Sequence, residues 1–169
     1  MNAPRHLITF KPGGIRFTYR VGRILIQREH VLCQSAGEEG FWFLPGGRAE
    51  VGESARASLL REMQEELGEA FQVGRLLYVV ENFYSNAGGA SHELGLYFLL
   101  SAPAGSFLTN GLETFTRQDE VGNSLRFDWL PIAHLETFPL YPPFFQTALK
   151  DLPEHPVHIE EHRSRSEHA

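Results

Sequence analysis

Hydrophobic positions along the chain follow two different periods. The stretch "IRFTYRVGRILIQREHVLCQ" (15–34) is rich in β-branched and aliphatic residues, and "REH" interrupts it as a turn, so it predicts a β-hairpin. "HLITF" (6–10) predicts a short strand closed by "KPGG", and "FWFLP" (41–45) a short apolar strand stopped by Pro45 and two glycines. From Ser54 to Leu67 the period becomes helical, with Leu59, Leu60, Met63 and Leu67 on one face. Ser54 suits the N-cap and Gly68 the C′ position. "GRLLYVVENFY" (74–84) and "HELGLYFLLS" (92–101) are apolar at nearly every position, as in strands covered on both faces, with "SNAGGAS" a turn-rich loop between them. "LRFDWLP" (125–131) is a further strand. "FFQTALKDL" (144–152) is a second helix, begun by prolines that suit a first turn. Beyond residue 153 the chain is polar and without period. It predicts a mobile tail over 154–169, in which His155, His158, His162 and His168 are solvated. The order strands, helix, strands, helix predicts one domain over 1–153, of the α/β (α+β) class, with helices packed on a mixed β-sheet.

Composition narrows the partners more than the fold. A length of 169 residues suits a single core. The formal charge of −6 argues against a nucleic-acid polymer or an anionic membrane as partner, since both need a basic surface, but it allows an anionic small molecule that arrives with cations. Cys33 is the single cysteine, so no intramolecular disulfide forms, and it reads as a small buried hydrophobe. The N-terminus lacks a basic stretch followed by an apolar one, and no apolar run approaches a membrane span. The expected location is the cytoplasm.

The predicted helix carries an unusual charge pattern. Glu62, Glu65 and Glu66 lie at i, i+3, i+4 and share an arc of about 100° beside the apolar face. Like charges at this spacing cost about 0.2–0.5 kcal/mol per pair. Carboxylates in the last turns also oppose the helix dipole, at roughly 0.3–1 kcal/mol each. Arg61 is the one cation nearby in sequence. A divalent ion reverses this balance, because hard cations such as Mg²⁺ take oxygen ligands from carboxylates, water and substrate phosphates. Gly46 and Gly47, in the loop ahead of the helix, allow the backbone to approach a ligand closely and to offer carbonyl oxygens. If the cluster is strained without metal, Glu66→Gln is expected to raise the metal-free melting temperature slightly.

The residues Gly47, Glu53, Arg61, Glu62, Met63, Glu65, Glu66 and Gly68 fit a known signature: Gly, five residues, Glu, seven residues, then Arg-Glu-aliphatic-x-Glu-Glu-x-Gly-aliphatic. This resembles the box of the Nudix hydrolases (the MutT-like proteins). The departure is Glu69 in the last aliphatic position, where Ala70 or Phe71 can supply the packing. The resemblance implies an α/β/α sandwich and hydrolysis of a nucleoside diphosphate linked to another moiety, assisted by Mg²⁺ or Mn²⁺. It implies metal ligation by Glu62, Glu65 and Glu66, with the Gly47 carbonyl added, and a Glu53–Arg61 pair that stiffens the loop and helix. It leaves room for a homodimer. A Nudix-fold module that binds a nucleotide without cleaving it is the alternative, and such modules tend to lose box residues that are all present here.

Outside the box, Glu120 and Glu93 are candidates for the base that activates water, ahead of Asp119 and Glu113. His92 and Glu93 open a strand and by alternation face opposite sides of the sheet. Tyr84, Phe83, Tyr97 and His92 are candidate contacts for a nucleotide base or its surroundings, by stacking in the case of the aromatics. Arg20, Arg23, Arg28 and Arg75 could contact phosphates and are not ranked.

Overall fold

The computed structural model describes residues 6–36, 40–118 and 122–163. In chain order they form β1 (Thr9–Phe10), β2 (Arg16–Gln27), β3 (His30–Ala36), β4 (Trp42–Phe43), β5 (Gly46–Arg48), α1 (Ala55–Leu67), β6 (Gln72–Asn86), β7 (Gly89–Ser101), β8 (Phe115–Gln118), β9 (Ser124–Pro131), β10 (Leu140–Tyr141), α2 (Phe145–Ala148) and β11 (Val157–His162). The central path runs β10-β4-β3-β2-β7-β6-β11. It is mixed: β2 lies parallel to β7 and β11 parallel to β6, while the β2–β3 and β6–β7 pairs are antiparallel. The fold is the expected α/β sandwich on a mixed sheet.

Two cores lie on opposite faces of this sheet. On one face, Val21, Leu25, Phe98 and Leu100 pack with Leu59, Met63 and Leu67 of α1. On the other, Ile24, Tyr78, Val80 and Tyr97 pack with Phe145 and Leu149 around α2. Strands covered on both sides bury apolar residues at consecutive positions, which is why β6 and β7 read as continuous apolar runs. Cys33 is fully buried in the second core.

Local chemistry explains most boundaries. The Ser54 side chain accepts a hydrogen bond from the Ala57 amide, and Gly68 closes α1 in the left-handed region at φ 70°. Leu60 departs from the helical-face reading: it is exposed, and the buried face is Ser58, Leu59, Glu62, Met63 and Leu67. The β2–β3 hairpin turns at Arg28 and Glu29, both at positive φ, the geometry of a two-residue turn that follows sheet twist. The loop expected over 85–91 is a tighter turn: Asn86 pairs with Gly89 across Ala87 and Gly88, and the Asn86 side chain accepts from the Gly88 amide. Glu69 does not pack as an aliphatic residue would. Its carboxylate accepts from Ser106 Oγ and the Phe107 amide, while Phe71 enters the core beside α1.

Four elements depart from the sequence expectation. β5 and β8 lie in stretches read as loop. The second helix is only one turn, 145–148. The Lys150 amide bonds back three residues to Thr147, and Pro153 disfavours helical geometry at Leu152. The C-terminal segment is not a free tail as far as residue 163. Val157–His162 pairs in parallel with Tyr78–Phe83, and the Arg163 amide donates to the Phe83 carbonyl. The polar alternation of "VHIEEH" suits an edge strand with one side in water.

Candidate active site

Arg61 organises the glutamate-bearing helix. Its Nε and Nη2 each lie 3.0 Å from a Glu53 oxygen, its Nη1 2.8 Å from Glu62 and 3.3 Å from Glu65, and Nη2 also lies 3.3 Å from Glu50. The Ser58 hydroxyl donates at 2.6 Å to Glu53 Oε2, the oxygen that also accepts from Arg61 Nη2. Burial pulls the Arg61 guanidinium down, but hydrogen bonds to Glu53 and Glu62 outweigh this and hold it above the ordinary arginine range. A planar fork held by several carboxylates fixes the loop before α1 against the middle of the helix.

Gly47 is positioned by β5, which pairs with β2 through Val21↔Gly47 and Gly22↔Gly46. A Cβ on Gly47 would sit 2.3 Å from Glu62 Cδ, so only glycine allows this backbone to lie against that carboxylate. A Cβ on Gly46 would collide with the Val21 carbonyl. Glu62 is buried and Glu66 nearly so, whereas 43% of the Glu65 side chain is exposed. Three carboxylates on one helix, with a glycine backbone lying against one of them, offer oxygen donors only, the kind a hard divalent cation takes.

Arg23 was only one of four unranked arginines, yet it is central here. It lies fully buried in β2, between Val21 and Leu25, and its Nη2 donates to Glu66. Its guanidinium also lies 5.9 Å from the Phe127 ring centroid, and its Nε and Nη1 have no hydrogen-bond partner among the described residues. The sequence signal was a lone arginine inside the apolar run "VGRILI", since a charge on a doubly covered strand needs a partner. The carboxylates of α1 are therefore balanced by two arginines as well as by any metal.

A second group lies on the α2 face of the sheet. By strand alternation, Arg20, Tyr84 and Glu93 share the face of Tyr97 and Val80. Arg20 Nη2 points at the Leu44 and Gly46 carbonyls, at 3.3 and 3.4 Å. Burial pulls its guanidinium down, and Glu93, Tyr97, Tyr84 and Glu66 together raise it above its ordinary value. Burial and Glu93 push the Tyr84 hydroxyl up. Arg163, carried by the end of β11, lies 5.1 Å above the Tyr84 ring and 4.7 Å above the Tyr141 ring. Tyr141 in turn touches Phe41 and Phe43. Sequence reasoning missed Arg163 because its stretch has no apolar period.

Phe83 and His92 are not brought to this group. They stand on the opposite face, where His162, Phe83, His92, Phe17 and Phe10 form an aromatic row across five strands. Odd positions of β6 beyond Tyr78 point away from Tyr84, which is the physical reason for the separation. Glu113 is exposed on the chain before β8. Arg75 donates to the Pro153 carbonyl and Arg28 occupies the hairpin turn. Asp119 and Glu120 lie outside the described residues.

A NUDIX domain model matches residues 14–148, most of the chain. The chain belongs to the NUDIX family. It is 34% identical over 113 residues to the mouse (Mus musculus) protein described as 8-oxo-dGDP phosphatase NUDT18, a match covering 66% of this chain and 31% of that protein. The chain thus spans about a third of that relative's length. Among solved structures it resembles a MutT protein of Bacillus halodurans, with TM-score 0.60, 18% identity, and 88% and 91% of the two chains covered. It also resembles a MutT NUDIX hydrolase of Burkholderia pseudomallei, with TM-score 0.52, 24% identity, and 69% and 84% covered. At these identities the structural likeness is one of fold. NUDIX proteins generally use divalent metals, and the all-oxygen set on α1 is compatible with one.

Proposed function

We propose that the protein is a divalent-metal-dependent pyrophosphohydrolase acting on a nucleoside diphosphate, either free or linked to a further group as in a nucleoside triphosphate, a dinucleoside polyphosphate or a nucleotide conjugate. The observation that carries this reading is the Glu53–Arg61 fork, which also holds Glu62 and Glu65, with Glu66 on the same helix and the Gly47 backbone against Glu62. Glu62, Glu65, Glu66 and the Gly47 carbonyl would hold Mg²⁺ or Mn²⁺. The ion would neutralise the diphosphate and lower the pKa of a bound water.

The remaining work falls to side chains. Arg61 keeps the carboxylates oriented. Arg23 holds Glu66 from beneath, so its guanidinium and a cation share one carboxylate. Water attack forms one P–O bond as the bridging P–O bond breaks. The water proton passes to a carboxylate, for which Glu65, Glu93 and Glu120 are the candidates. Tyr84 and Tyr141 offer rings on which a base stacks, and Arg20 and Arg163 offer positive charge to phosphates or to base carbonyls. The activity described for the mouse relative makes 8-oxo-dGDP the first substrate to try.

The test is a substrate panel with Mg²⁺ and with Mn²⁺, read by phosphate release and product identification. It should contain 8-oxo-dGDP, nucleoside triphosphates, dinucleoside polyphosphates and nucleotide sugars. Turnover that needs the metal and drops at least ~10²-fold in Glu65→Gln or Glu66→Gln supports the reading. Nucleotide binding with no turnover on any compound would replace it with the non-catalytic module. Equal activity in the variants and the unaltered chain would refute the ligand assignment.

A further inference from the structure

The face of the sheet that carries the aromatic row also gathers metal-ligating side chains that share no residue with the glutamate helix. β11 lies in register with β6, so Glu160 stands directly opposite Glu81, and His162 opposite Phe83. One oxygen each from Glu81 and Glu160 and one ring nitrogen of His158 all lie within 4.8 Å of one another. His158 Nε2 is 2.9 Å from Glu81 Oε2. From the other side, His92 Nε2 lies 3.8 Å from Glu81 Oε1, shielded from solvent and without a hydrogen bond. His162 Nε2 lies 4.0 Å from Glu160. The His92 and His162 rings clamp Phe83 between them, at 4.2 and 4.6 Å, which limits how far either can swing.

Like charges directly opposite on paired strands destabilise the pair. Here Glu81 and Glu160 face each other where the last strand joins the sheet. The donors are imidazole nitrogen and carboxylate oxygen, converging from two strands. That set favours a borderline first-row ion over Mg²⁺, which prefers oxygen and retains its water. Three protein ligands with a water completing a tetrahedron is an arrangement Zn²⁺ takes where one position stays open, and ligating carboxylates are themselves held by polar neighbours, a place His92 can fill.

We propose that Glu81, His158 and Glu160 bind a divalent transition-metal ion of the Zn²⁺ class, with His92 supporting Glu81, and that this ion clamps β11 onto β6. The clamp has a consequence on the opposite face. Arg163 directly follows β11, and its guanidinium lies over Tyr84 and Tyr141, so fixing the strand restrains that cation. The bond formed is coordinate: His158 gives a lone pair and releases no proton when neutral, and both carboxylates bind ionised.

The test uses the full chain, stripped of metal, in excess Mg²⁺ so that the α1 carboxylates are occupied. Co²⁺ is titrated as a spectroscopic probe and Zn²⁺ by calorimetry. Hydrogen exchange then reads the amides of Val157–His162. The expected result is one Zn²⁺ or Co²⁺ per chain, retained in Glu65→Gln and in His168→Ala. His158→Ala and Glu160→Gln should weaken it at least ~tenfold. Zn²⁺ should raise β11 protection in the unaltered chain and not in His158→Ala. Both side chains are more than half exposed, so the variants should keep their fold, and Glu160→Gln alone suffices if His158→Ala does not. Binding unchanged in both variants, or lost only in Glu65→Gln, overturns the proposal. So does no binding in excess Mg²⁺, or β11 protection that follows pH through the histidine range and ignores Zn²⁺.

Discussion

Glu66 shows how one neighbour changes the meaning of a charge. Considered on its helix alone, it is a carboxylate in an unfavourable place, and its neutralisation should help the metal-free protein. In the fold it is the ionic partner of Arg23, a fully buried guanidinium. Removing one member of such a pair leaves the other uncompensated, the costly case for buried ions. Glu66→Gln keeps an acceptor oxygen, so the expected loss is about 1–3 kcal/mol in metal-free chemical denaturation. This reverses the sign that the helix pattern predicts. A higher denaturation midpoint for Glu66→Gln would show that Arg23 does not depend on it. Gly47 makes a sharper prediction. A methyl group there must displace the Glu62 carboxylate or the β5 backbone. Gly47→Ala should fold and lose about 10²-fold in turnover, since a shift of an ångström in a positioned group costs that much. Steady-state kinetics beside a thermal melt separates the two effects.

At the scale of elements, β11 joins the two faces of the sheet. It covers the outer edge of β6 along Tyr78–Phe83 and carries Arg163 to the tyrosines. A chain ending at Pro156 would leave that edge unpaired, an invitation to self-association. Truncation there should lower the melting temperature and promote aggregation, as seen by light scattering. The point variant Arg163→Ala should leave the melt nearly unchanged and raise KM more than it lowers kcat, because the cation meets substrate equally before and during the chemical step. An unchanged KM on every compound turned over would remove Arg163 from the substrate side.

For the whole molecule, the two cores set how stability responds to pH and to metal. Burial, with Asp128 nearby, pushes the Cys33 thiol well above its ordinary range. Burial does the same to the Tyr97 hydroxyl, helped by Glu93. The folded chain then keeps protons that the unfolded chain releases. Their contribution is complete below the ordinary thiol pKa of about 8.5 and is lost as pH rises beyond it, first through Cys33 and then, near 10, through Tyr97. Denaturation midpoints should fall from about pH 8.5 upward and more steeply beyond about pH 10, and Cys33→Ala should flatten the first part of that slope while lowering the plateau through the cavity it leaves. Mg²⁺ bound at the proposed α1 site should act in the other direction, adding about 2.7 kcal/mol at a hundredfold excess over its dissociation constant.

The sequence alone determined the elements whose signals are local. The helical period with Ser54 and Gly68 marked α1, the doubly apolar runs marked β6 and β7, and the spacing from Gly47 to Gly68 marked the family, because each rests on residues a few turns apart. Only the tertiary structure decided what meets across the sheet: Arg23 with Glu66, 43 residues apart, and Arg163 with Tyr84 and Tyr141. It also put Phe83 and His92 on the face away from Tyr84, and made a strand of a segment whose composition reads as tail. An edge strand gains its order from the neighbour whose hydrogen bonds it completes, and that neighbour lies more than 70 residues away in the chain, beyond the reach of any local pattern.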